Sequence, residues 1–314
     1  MVEVRGITKR YGPHVAVNDV GFSIGKGEIV GFLGPNGAGK STTMNILTGY
    51  LSTTEGEVTI DGMPILEYPE DIKRKLGYLP ENPPLYVDMT VTEYLKFVAQ
   101  IKGVAKKTVP SRIAEVLETV KITDVRKRLV KNLSKGYKQR VGLAQALIGD
   151  PEILIFDEPT SGLDPKQIIE IRDLIRKLGE NHTVILSSHI LHEVSAICRR
   201  VMIMNLGRIV ADGNPDTLAI QHSPTGQLIV TVLGEGEKAR ATLADVAGVT
   251  RVTDRATDEP GAVEFVLDTD GDVRPKVFEA MSAAKLTLIQ MRVNTMSLEE
   301  LFLQLTSGEQ EVPA

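Results

Sequence analysis

A glycine-rich segment that ends in a lysine and a serine offers the most specific chemistry in the sequence. Residues 34–41, GPNGAGKS, fit the pattern G-x-x-x-x-G-K-[ST] and lie between an apolar β-rich run, EIVGFL, and a helical run, TTMNILTGYL. In this context the backbone N–H groups turn inward as an anion-binding nest, and the start of the helix adds positive potential. We therefore predict that phosphate groups bind at the following residues: Gly34, Pro35, Asn36, Gly37, Ala38, Gly39, Lys40, Ser41 and Thr42.

Two side chains of this segment have separate roles in the prediction. The ammonium of Lys40 is expected to contact the β- and γ-phosphates, and the hydroxyl of Ser41 is expected to bind Mg²⁺. The alternative is a glycine turn with a solvated lysine. The position between a strand and a helix argues against that alternative.

A pair of adjacent carboxylates, Asp157 and Glu158, follows the apolar run ILIF. A strand that is apolar on both faces is typical of the centre of a parallel sheet, and ligands bind at the carboxyl ends of such strands. We predict that Asp157 binds Mg²⁺ together with Ser41, and that Glu158 polarises an attacking water as a general base. The alternative is a polar strand end that leads into a proline turn.

The composition indicates a folded chain, and its length indicates one or two domains. It has 314 residues, of which 42% are apolar, and a formal net charge of -5. The charge balance does not favour nucleic acid, so we expect no nucleic-acid partner. A single cysteine, Cys198, excludes an intramolecular disulfide and favours a reducing compartment. There is neither a signal-peptide pattern nor a run of about 18 apolar residues, so we expect a cytoplasmic chain without a membrane span.

The elements that must position the chemistry alternate between strands and helices. Apolar runs such as ILIFD and TVILSS alternate with helical runs such as QIIEIRDLIRKLG and ILHEVSAICRR, which predicts parallel strands with helical crossovers; VMIMNLGRIV is interpreted as one further strand. Residues of about 85–150 are predicted to form an inserted helical subdomain, and one of its helices begins with a capping box of Thr90 and Glu93.

A cluster of polar residues, proline and glycine over residues 212–227 predicts a domain boundary. We therefore expect a first domain of residues 1–220 and a second of residues 221–314. The second domain has runs in the order strand, helix, strand, strand, helix, strand, which is typical of a small α+β, ferredoxin-like domain. A last helix with a capping box of Ser297 and Glu300 follows. This domain contains no cluster of side chains that indicates chemistry.

Five segments, in this order, resemble the nucleotide-binding subunit of an ABC transporter: GPNGAGKST, LSKGYKQR, ILIFDEP, SGLDP and the histidine of SSH. The resemblance covers about residues 2–220. It implies a P-loop NTPase cassette of the α/β class, with a mixed sheet and an inserted helical subdomain, that hydrolyses ATP with Mg²⁺. The stretch from SKGYKQR to SGLDP and the added C-terminal domain further resemble ABC-2-type exporters, including the gliding-motility ATPase subfamily.

The resemblance also implies that two copies of the chain form one catalytic unit. In the family, a loop similar to residues 133–139 caps the γ-phosphate of the ATP bound by the other subunit. Ser134 and the backbone of Gly136 are then expected to contact ATP across a homodimer that encloses two MgATP, and Asp164 resembles the acid of the inter-subunit loop. The alternative for residues 133–140 is a solvated basic face.

Two further residues take their expected roles from the resemblance. His189 follows the strand TVILSS and resembles the switch histidine, whose imidazole contacts the γ-phosphate and positions the water. Tyr11, in KRYG, resembles the aromatic residue that stacks on adenine, and the alternative for Tyr11 is a packed surface tyrosine.

The sequence departs from the family at two places. Lys135 and Tyr137 stand where the usual signature has a glycine and a glutamine, and Glu81 replaces the glutamine of the loop that faces the membrane subunit. We expect the Glu81 carboxylate to contact Mg²⁺ or water. The alternative is an ordinary loop glutamate.

The resemblance predicts an ATP-hydrolysing exporter subunit that acts with separately encoded integral membrane permease subunits, on the cytoplasmic face of the cell membrane. Two other functions stay open: a soluble ABC ATPase in translation or DNA repair, and a regulatory nucleotide-binding module with little turnover. The sequence shows neither the second cassette nor the long coiled coil usual in the first class. The second class is disfavoured by the presence of Lys40, Asp157, Glu158 and His189.

Overall fold

The computed structural model describes residues 1–221, 226–294 and 296–307. These residues divide into two compact units, one made of Met1–Pro215 with residues 302–307, and the other of Asp216–Leu301. The predicted domains of residues 1–220 and 221–314 stay a prediction. Part of the predicted boundary segment, residues 222–225, and the end of the predicted second domain lie outside the described residues.

The elements of the first unit are numbered along the chain. Its strands are β1 (Val2–Tyr11), β2 (His14–Ile24), β3 (Ile29–Leu33), β4 (Glu55–Ile60), β5 (Met63–Pro64), β6 (Leu76–Leu79), β7 (Ile153–Asp157), β8 (Thr183–Ser188), β9 (Arg200–Asn205) and β10 (Arg208–Gly213). Its helices are α1 (Lys40–Leu47), α2 (Pro69–Lys75), α3 (Val91–Ile101), α4 (Val109–Thr119), α5 (Lys135–Leu147), α6 (Pro165–Leu178) and α7 (Leu191–Ser195).

A six-stranded sheet in the order β10-β9-β3-β8-β7-β6 forms the centre of this unit. Strands β6, β7, β8, β3 and β9 pair in parallel, as predicted, and their residues are largely buried, as expected for strands that are covered on both faces. Strands β3, β7 and β8 are neighbours, so that Leu33, Asp157 and Ser188 end at the same edge of the sheet. The fold therefore brings the predicted phosphate loop, carboxylate pair and histidine together.

The interpretation of VMIMNLGRIV as a single strand is wrong. The segment forms a hairpin in which β10 pairs antiparallel with β9. Its turn residues, Leu206 and Gly207, have φ values of 46° and 77°. Positive φ at both central residues gives a tight turn with the twist that antiparallel strands require. The glycine was the available signal for this turn.

A second sheet, antiparallel and in the order β2-β1-β4-β5, belongs to the same unit. The apolar cluster of the unit contains side chains of both sheets and of α1, including Ile7, Val17, Ile46 and Met202. Phe22 of β2 packs edge to face on Phe32 of β3, with ring centroids 5.2 Å apart. The phosphate loop therefore leaves β3 from a closely packed core.

Helices α3, α4 and α5 lie between β6 and β7 in the chain, where the inserted helical subdomain is expected. The predicted capping box of α3 is present: the Thr90 N–H donates to Glu93 at 2.8 Å, and the Glu93 N–H donates to the Thr90 hydroxyl at 3.3 Å. The helix predicted for ILHEVSAICRR is shorter than expected, since α7 ends at Ser195. Its Val194 and the buried Cys198 pack closely over Gly31 of β3, which leaves no room there for a Cβ.

The second unit consists of a four-stranded antiparallel sheet with helices between its strands. The elements from Pro215 onward are α8 (Pro215–Gln221), β11 (Gln227–Leu233), α9 (Gly236–Ala244), β12 (Val249–Arg255), β13 (Ala262–Thr269), α10 (Arg274–Ala283), β14 (Thr287–Val293) and α11 (Leu298–Ser307), of which residues 302–307 belong to the first unit. The strand order is β12-β13-β11-β14. The order of elements agrees with the sequence prediction, and the ferredoxin-like assignment stays a prediction.

The last helix, α11, begins with the capping box predicted from the sequence. The Ser297 N–H donates to the Glu300 carboxylate at 2.7 Å, and the Glu300 N–H donates to the Ser297 hydroxyl at 3.1 Å. Among the helices of the described residues, none is long and apolar enough to cross a membrane.

Candidate active site

The predicted phosphate loop connects the end of β3 to the start of α1. Gly39, which precedes the helix, has a φ of 100°, and a Cβ at this position would lie 2.5 Å from the carbonyl oxygen of Ala16. Only glycine fits, because both the left-handed backbone and the close approach exclude a side chain. The N-terminus of α1 is therefore free to face a ligand with its backbone N–H groups.

Lys40, the first residue of α1, directs its ammonium back into the loop. Nζ donates to the carbonyl oxygens of Gly34 at 2.8 Å and Pro35 at 3.2 Å, and lies 3.6 Å from Glu158 Oε1. Burial lowers the pKa of Lys40, and the carboxylates of Glu158 and Asp157 oppose this shift. The loop thus holds a cation at the position predicted for phosphate contact.

Asp157, the last residue of β7, joins three elements through one oxygen. Its Oδ1 accepts hydrogen bonds from Ser41 Oγ of α1 at 3.1 Å and from Ser187 Oγ of β8 at 2.5 Å. Mg²⁺ prefers oxygen ligands and usually takes only one or two from the protein, with phosphate oxygens and water completing its coordination. The adjacent hydroxyl and carboxylate of Ser41 and Asp157 fit that requirement. Among residues 1–221, 226–294 and 296–307, no group of three His, Cys, Asp or Glu side chains forms a protein-only metal site.

Glu158 has an unusual backbone conformation and close charged neighbours. Its φ is 48°, in the left-handed region, and its N–H donates to Ser187 Oγ at 3.0 Å. Left-handed backbone in a residue other than glycine carries strain that the surroundings must hold in place. The carboxylate lies between Lys40 and His189, with Oε2 2.9 Å from Nδ1 of the imidazole. The Glu158 side chain is 8% exposed and that of His189 is 44% exposed, so the histidine reaches toward solvent.

A cavity of about 460 Å³ opens in front of these groups. The predicted residues that line it are Tyr11, Asn36, Gly37, Gly39, Lys40, Ser41, Thr42, Glu81, Glu158 and His189. Tyr11 is 46% exposed, and the ammonium of Lys9 lies 5.6 Å from the centre of its ring. An aromatic ring, a glycine-rich loop with a lysine and a carboxylate–imidazole pair thus line the same cavity. This combination suits a nucleotide.

Ser134, Gly136 and Asp164 are among the predicted residues that do not line this cavity; Gly34, Pro35, Ala38 and Asp157 are the others. Ser134 caps α5, and its hydroxyl accepts from the Tyr137 N–H at 3.4 Å. Asp164 caps α6, and its carboxylate accepts from the Gln167 N–H at 2.9 Å. Gly136 lies against the Gln167 side chain, without room for a Cβ. Within one chain these residues cap and pack two helix starts, and their predicted contact with ATP requires a second copy.

Ala38 of the phosphate loop is hydrogen-bonded to the turn of the β9–β10 hairpin. The Ala38 N–H donates to Pro35 at 3.2 Å, and the Gly207 N–H of the hairpin turn donates to Ala38 at 3.1 Å. The Gly207 carbonyl in turn accepts from the Asn18 N–H of β2 at 2.8 Å. The phosphate loop and the strand that follows Tyr11 are therefore bonded to the same turn.

Sequence reasoning missed several residues of the site. His14, Ala16 and Ser161 also line the cavity. Ser187, which bonds both Asp157 and the Glu158 backbone, is the residue before the last of β8. The two serines of TVILSS gave the same signal as the carboxylates after ILIF: polar residues at the end of a buried strand.

The comparisons with known proteins identify the family of the chain. A sequence model described as "ABC transporter" matches residues 17–161. The uncharacterized ABC transporter ATP-binding protein YxlF of Bacillus subtilis is 34% identical, over 97% of this chain and 99% of that protein. The linearmycin resistance ATP-binding protein LnrL of the same organism is 34% identical, over 98% of each chain. The bacitracin transport ATP-binding protein BcrA of Bacillus licheniformis is 40% identical, over 68% of this chain and 69% of that protein.

Solved structures agree as well. An ATP-binding subunit of an ABC transporter superposes with a TM-score of 0.65 at 31% identity, over 70% of this chain and 92% of that chain. A dimeric ATP-binding cassette in a post-hydrolysis state, bound to ADP and Pi, superposes with a TM-score of 0.63 at 29% identity, over 68% of this chain and 98% of that chain. Fold and site thus define a P-loop ATPase of the cassette type. The chain belongs to the ATP-binding proteins of ABC transporters, and the family, fold and ATPase predictions are confirmed.

Proposed function

We propose that this chain is the ATP-hydrolysing subunit of an ABC-type exporter, and that two copies close around two MgATP to drive separately encoded integral membrane permease subunits. The observation that carries the proposal is the Glu158 carboxylate, held 2.9 Å from His189 and 3.6 Å from Lys40 at the wall of the cavity. Export as the direction of transport is supported by the relatives named for linearmycin resistance and bacitracin transport.

The residues of the phosphate loop bind and orient the nucleotide. Lys40 and the backbone N–H groups at the start of α1 contact the phosphates, and Tyr11 stacks on the adenine. Ser41 and Asp157 would hold Mg²⁺, and the Glu81 carboxylate lines the same cavity. The ion would supply neutralisation of the negative charge of the phosphates.

Glu158 and His189 act on the water. Glu158 accepts the proton of a water that attacks the γ-phosphate in line, and His189 orients that water and the γ-phosphate. Lys40 stabilises the negative charge of the γ-phosphate during the attack. Catalysis is then positioning together with electrostatic stabilisation, and it needs no covalent intermediate.

Dimer closure completes the site. Ser134 and the Gly136 backbone, at the start of α5, contact the γ-phosphate bound by the other copy, and Asp164 lies in the inter-subunit loop. A dimeric relative among the solved structures supports this arrangement. Because hydrolysis removes the γ-phosphate contacts, it also removes the preference of ATP for the closed state, and the dimer opens.

The test of catalysis compares the parent with Glu158→Gln. Removing the general base is expected to lower kcat for MgATP by about 10²- to 10⁴-fold. Nucleotide binding is expected to persist, so that an ATP-bound dimer accumulates, which light scattering after size-exclusion chromatography detects. Glu180→Gln, an exposed glutamate after α6, is the matched control and is expected to behave as the parent. A parent that is inactive even with its membrane partner contradicts the proposal.

The test of the transport assignment is the cell fraction in which the protein is retained. We place the chain on the cytoplasmic face of the membrane, bound to its permease. The purified protein is then expected to sediment with vesicles that contain the permease, and not with ribosomes or DNA. Retention on ribosomes or DNA instead supports a role in translation or DNA repair.

A further inference from the structure

The two serines at the end of β8 make different contacts. Ser187 bonds Asp157 and the Glu158 backbone, as described above. The Ser188 hydroxyl donates to Glu193 Oε2 at 3.1 Å and accepts from the Ile190 N–H at 3.1 Å. Ser188 therefore fixes the turn that carries His189, and Glu193 fixes Ser188.

Glu193 also holds the segment that follows Glu158. The same oxygen, Oε2, accepts a short hydrogen bond from the hydroxyl of Thr160. Glu193, Thr160 and Ser188 are all buried, with 5%, 4% and 1% of their surfaces exposed. A carboxylate is costly to bury, and here both of its donors are neutral hydroxyls. Because burying this carboxylate costs free energy, we expect Glu193 to have a role beyond packing.

The positions of its two hydroxyl partners in the chain indicate this role. Thr160 lies two residues after Glu158, and Ser188 immediately precedes His189. One carboxylate oxygen therefore connects the two segments whose side chains meet at 2.9 Å on the cavity wall. Glu193 itself does not line the cavity, and its hydrogen bonds go to Thr160 and Ser188.

We propose that Glu193 is a positioning residue for ATP hydrolysis: it fixes the segments after β7 and β8 so that Glu158 and His189 face the same water. This inference rests on the proposed function. A displacement of about 1 Å in a reacting group costs about 10²-fold in rate. Loss of the Glu193 acceptor is therefore expected to lower turnover much more than nucleotide affinity.

Steady-state kinetics test this role with three variants. Glu193→Ala removes the acceptor and is expected to lower kcat by about 10- to 100-fold, with the affinity for a fluorescent ATP analogue within about 2-fold of the parent. Glu193→Gln keeps an oxygen that accepts from both hydroxyls and is expected to restore most of the lost kcat. His192→Ala changes the exposed neighbour on α7 and is the matched control with parent activity.

Histidine-ring NMR provides a readout that does not depend on turnover. The chain has five histidines, and the His189 signals are assigned by their loss in His189→Gln. In Glu193→Ala these signals are expected to shift as they do in Glu158→Gln, because both changes disturb the same contact. They are expected to stay in place in Glu193→Gln. Should Glu193→Ala fail to fold, Thr160→Val and Ser188→Ala remove the two bonds one at a time.

The outcomes separate this inference from the proposed function. Parent-like kcat in Glu193→Ala, equal loss in the Ala and Gln variants, or unchanged His189 signals each overturn the positioning role. A parent that does not hydrolyse ATP overturns the proposed function instead, and the His189 signals still test the positioning role in that case.

Discussion

Glu158 of the first unit and Glu264 of the second are both buried, and they differ in what surrounds them. Glu158 and Glu264 are 6% and 7% exposed. Glu264 lies within β13 and accepts from Thr231 at 3.1 Å, with Arg255 and Arg292 at 3.3 and 3.9 Å. All of these partners of Glu264 belong to the same sheet as Glu264 itself.

Glu158, by contrast, lies at the end of a strand, in a left-handed backbone conformation, and lines a cavity. Its charged neighbours, Lys40 and His189, line the same cavity. A buried carboxylate alone therefore does not mark an active site. The combination of strand end, strained backbone and an open cavity distinguishes the carboxylate that does chemistry from the one that stabilises a sheet.

The most severe test of this distinction removes the cation beside Glu158. Lys40→Ala is expected to weaken nucleotide binding by about 2–5 kcal/mol, or 30-fold and more, since it takes away a phosphate contact and leaves Glu158 buried without its ammonium. Titration calorimetry with MgATP measures this change. Lys177→Ala, an exposed lysine at the end of α6, serves as the control. Parent-like affinity in Lys40→Ala would refute the site.

Removing the other carboxylate is expected to affect stability and leave the chemistry intact. Glu264→Ala leaves two guanidinium groups and a hydroxyl without their acceptor, and we expect a loss of about 1–3 kcal/mol, reduced because both arginines are about half exposed. Chemical denaturation followed by circular dichroism gives the free energy of unfolding. The kcat per folded molecule is expected to stay that of the parent. A fall in kcat as large as that in Glu158→Gln would contradict the distinction between a catalytic and a structural glutamate.

Tyr11, which also lines the cavity, tests whether the site binds the base of a nucleotide. Tyr11→Ala is expected to raise the KM for ATP by about 5-fold, or 1 kcal/mol, because stacking uses the face of the ring. Tyr11→Phe keeps that face and is expected to match the parent. If the Phe variant binds as poorly as the Ala variant, the hydroxyl matters and stacking is the wrong explanation.

A third carboxylate, Asp61, provides a smaller, pH-dependent comparison near the surface. A hydrogen bond from Lys75 at 2.6 Å, together with the N-terminal ammonium, lowers the pKa of Asp61 to about 2. Because the pKa is depressed in the folded state, this stabilisation is present above about pH 4 and is lost as the pH falls through about 2. Asp61→Asn is expected to lower the free energy of unfolding at pH 7 by about 1 kcal/mol.

Denaturation curves at several pH values check the sign of this effect. The difference between the parent and Asp61→Asn is expected to shrink between about pH 4 and pH 2, where the parent loses its ionised carboxylate. A difference that stays constant over this range means that the substitution acts by some route other than charge. Activity at pH 7 is expected to be unaffected.

The sequence predicted those parts of the site that depend on a local pattern. The glycine spacing of the phosphate loop, the carboxylates after ILIF and the histidine after TVILSS each follow an apolar strand, and parallel pairing then places the strand ends side by side. The capping boxes of α3 and α11 were predictable for the same reason, since the two partners lie three residues apart.

The parts that could not be predicted depend on contacts between distant residues. In the sequence, Glu193 is a single polar residue within a predicted helix. Its hydrogen bond with Thr160 forms only because β7 and β8 lie side by side in the fold. The hairpin in VMIMNLGRIV was missed because a leucine occupies the first turn position, where the usual signal is asparagine or aspartate. A positive φ is uncommon for leucine, so the residue type at position 206 does not indicate the turn.

The turn at Gly207 has a consequence for the thermodynamics of nucleotide capture. Because this turn bonds both Ala38 and Asn18, the loop that leads to Lys40 is joined to β2, and β2 pairs with β1, the strand that carries Tyr11. Little conformational entropy then remains to be lost at either end of the nucleotide. Affinity for the base and affinity for the phosphates should therefore rise and fall together in any variant that loosens the hairpin.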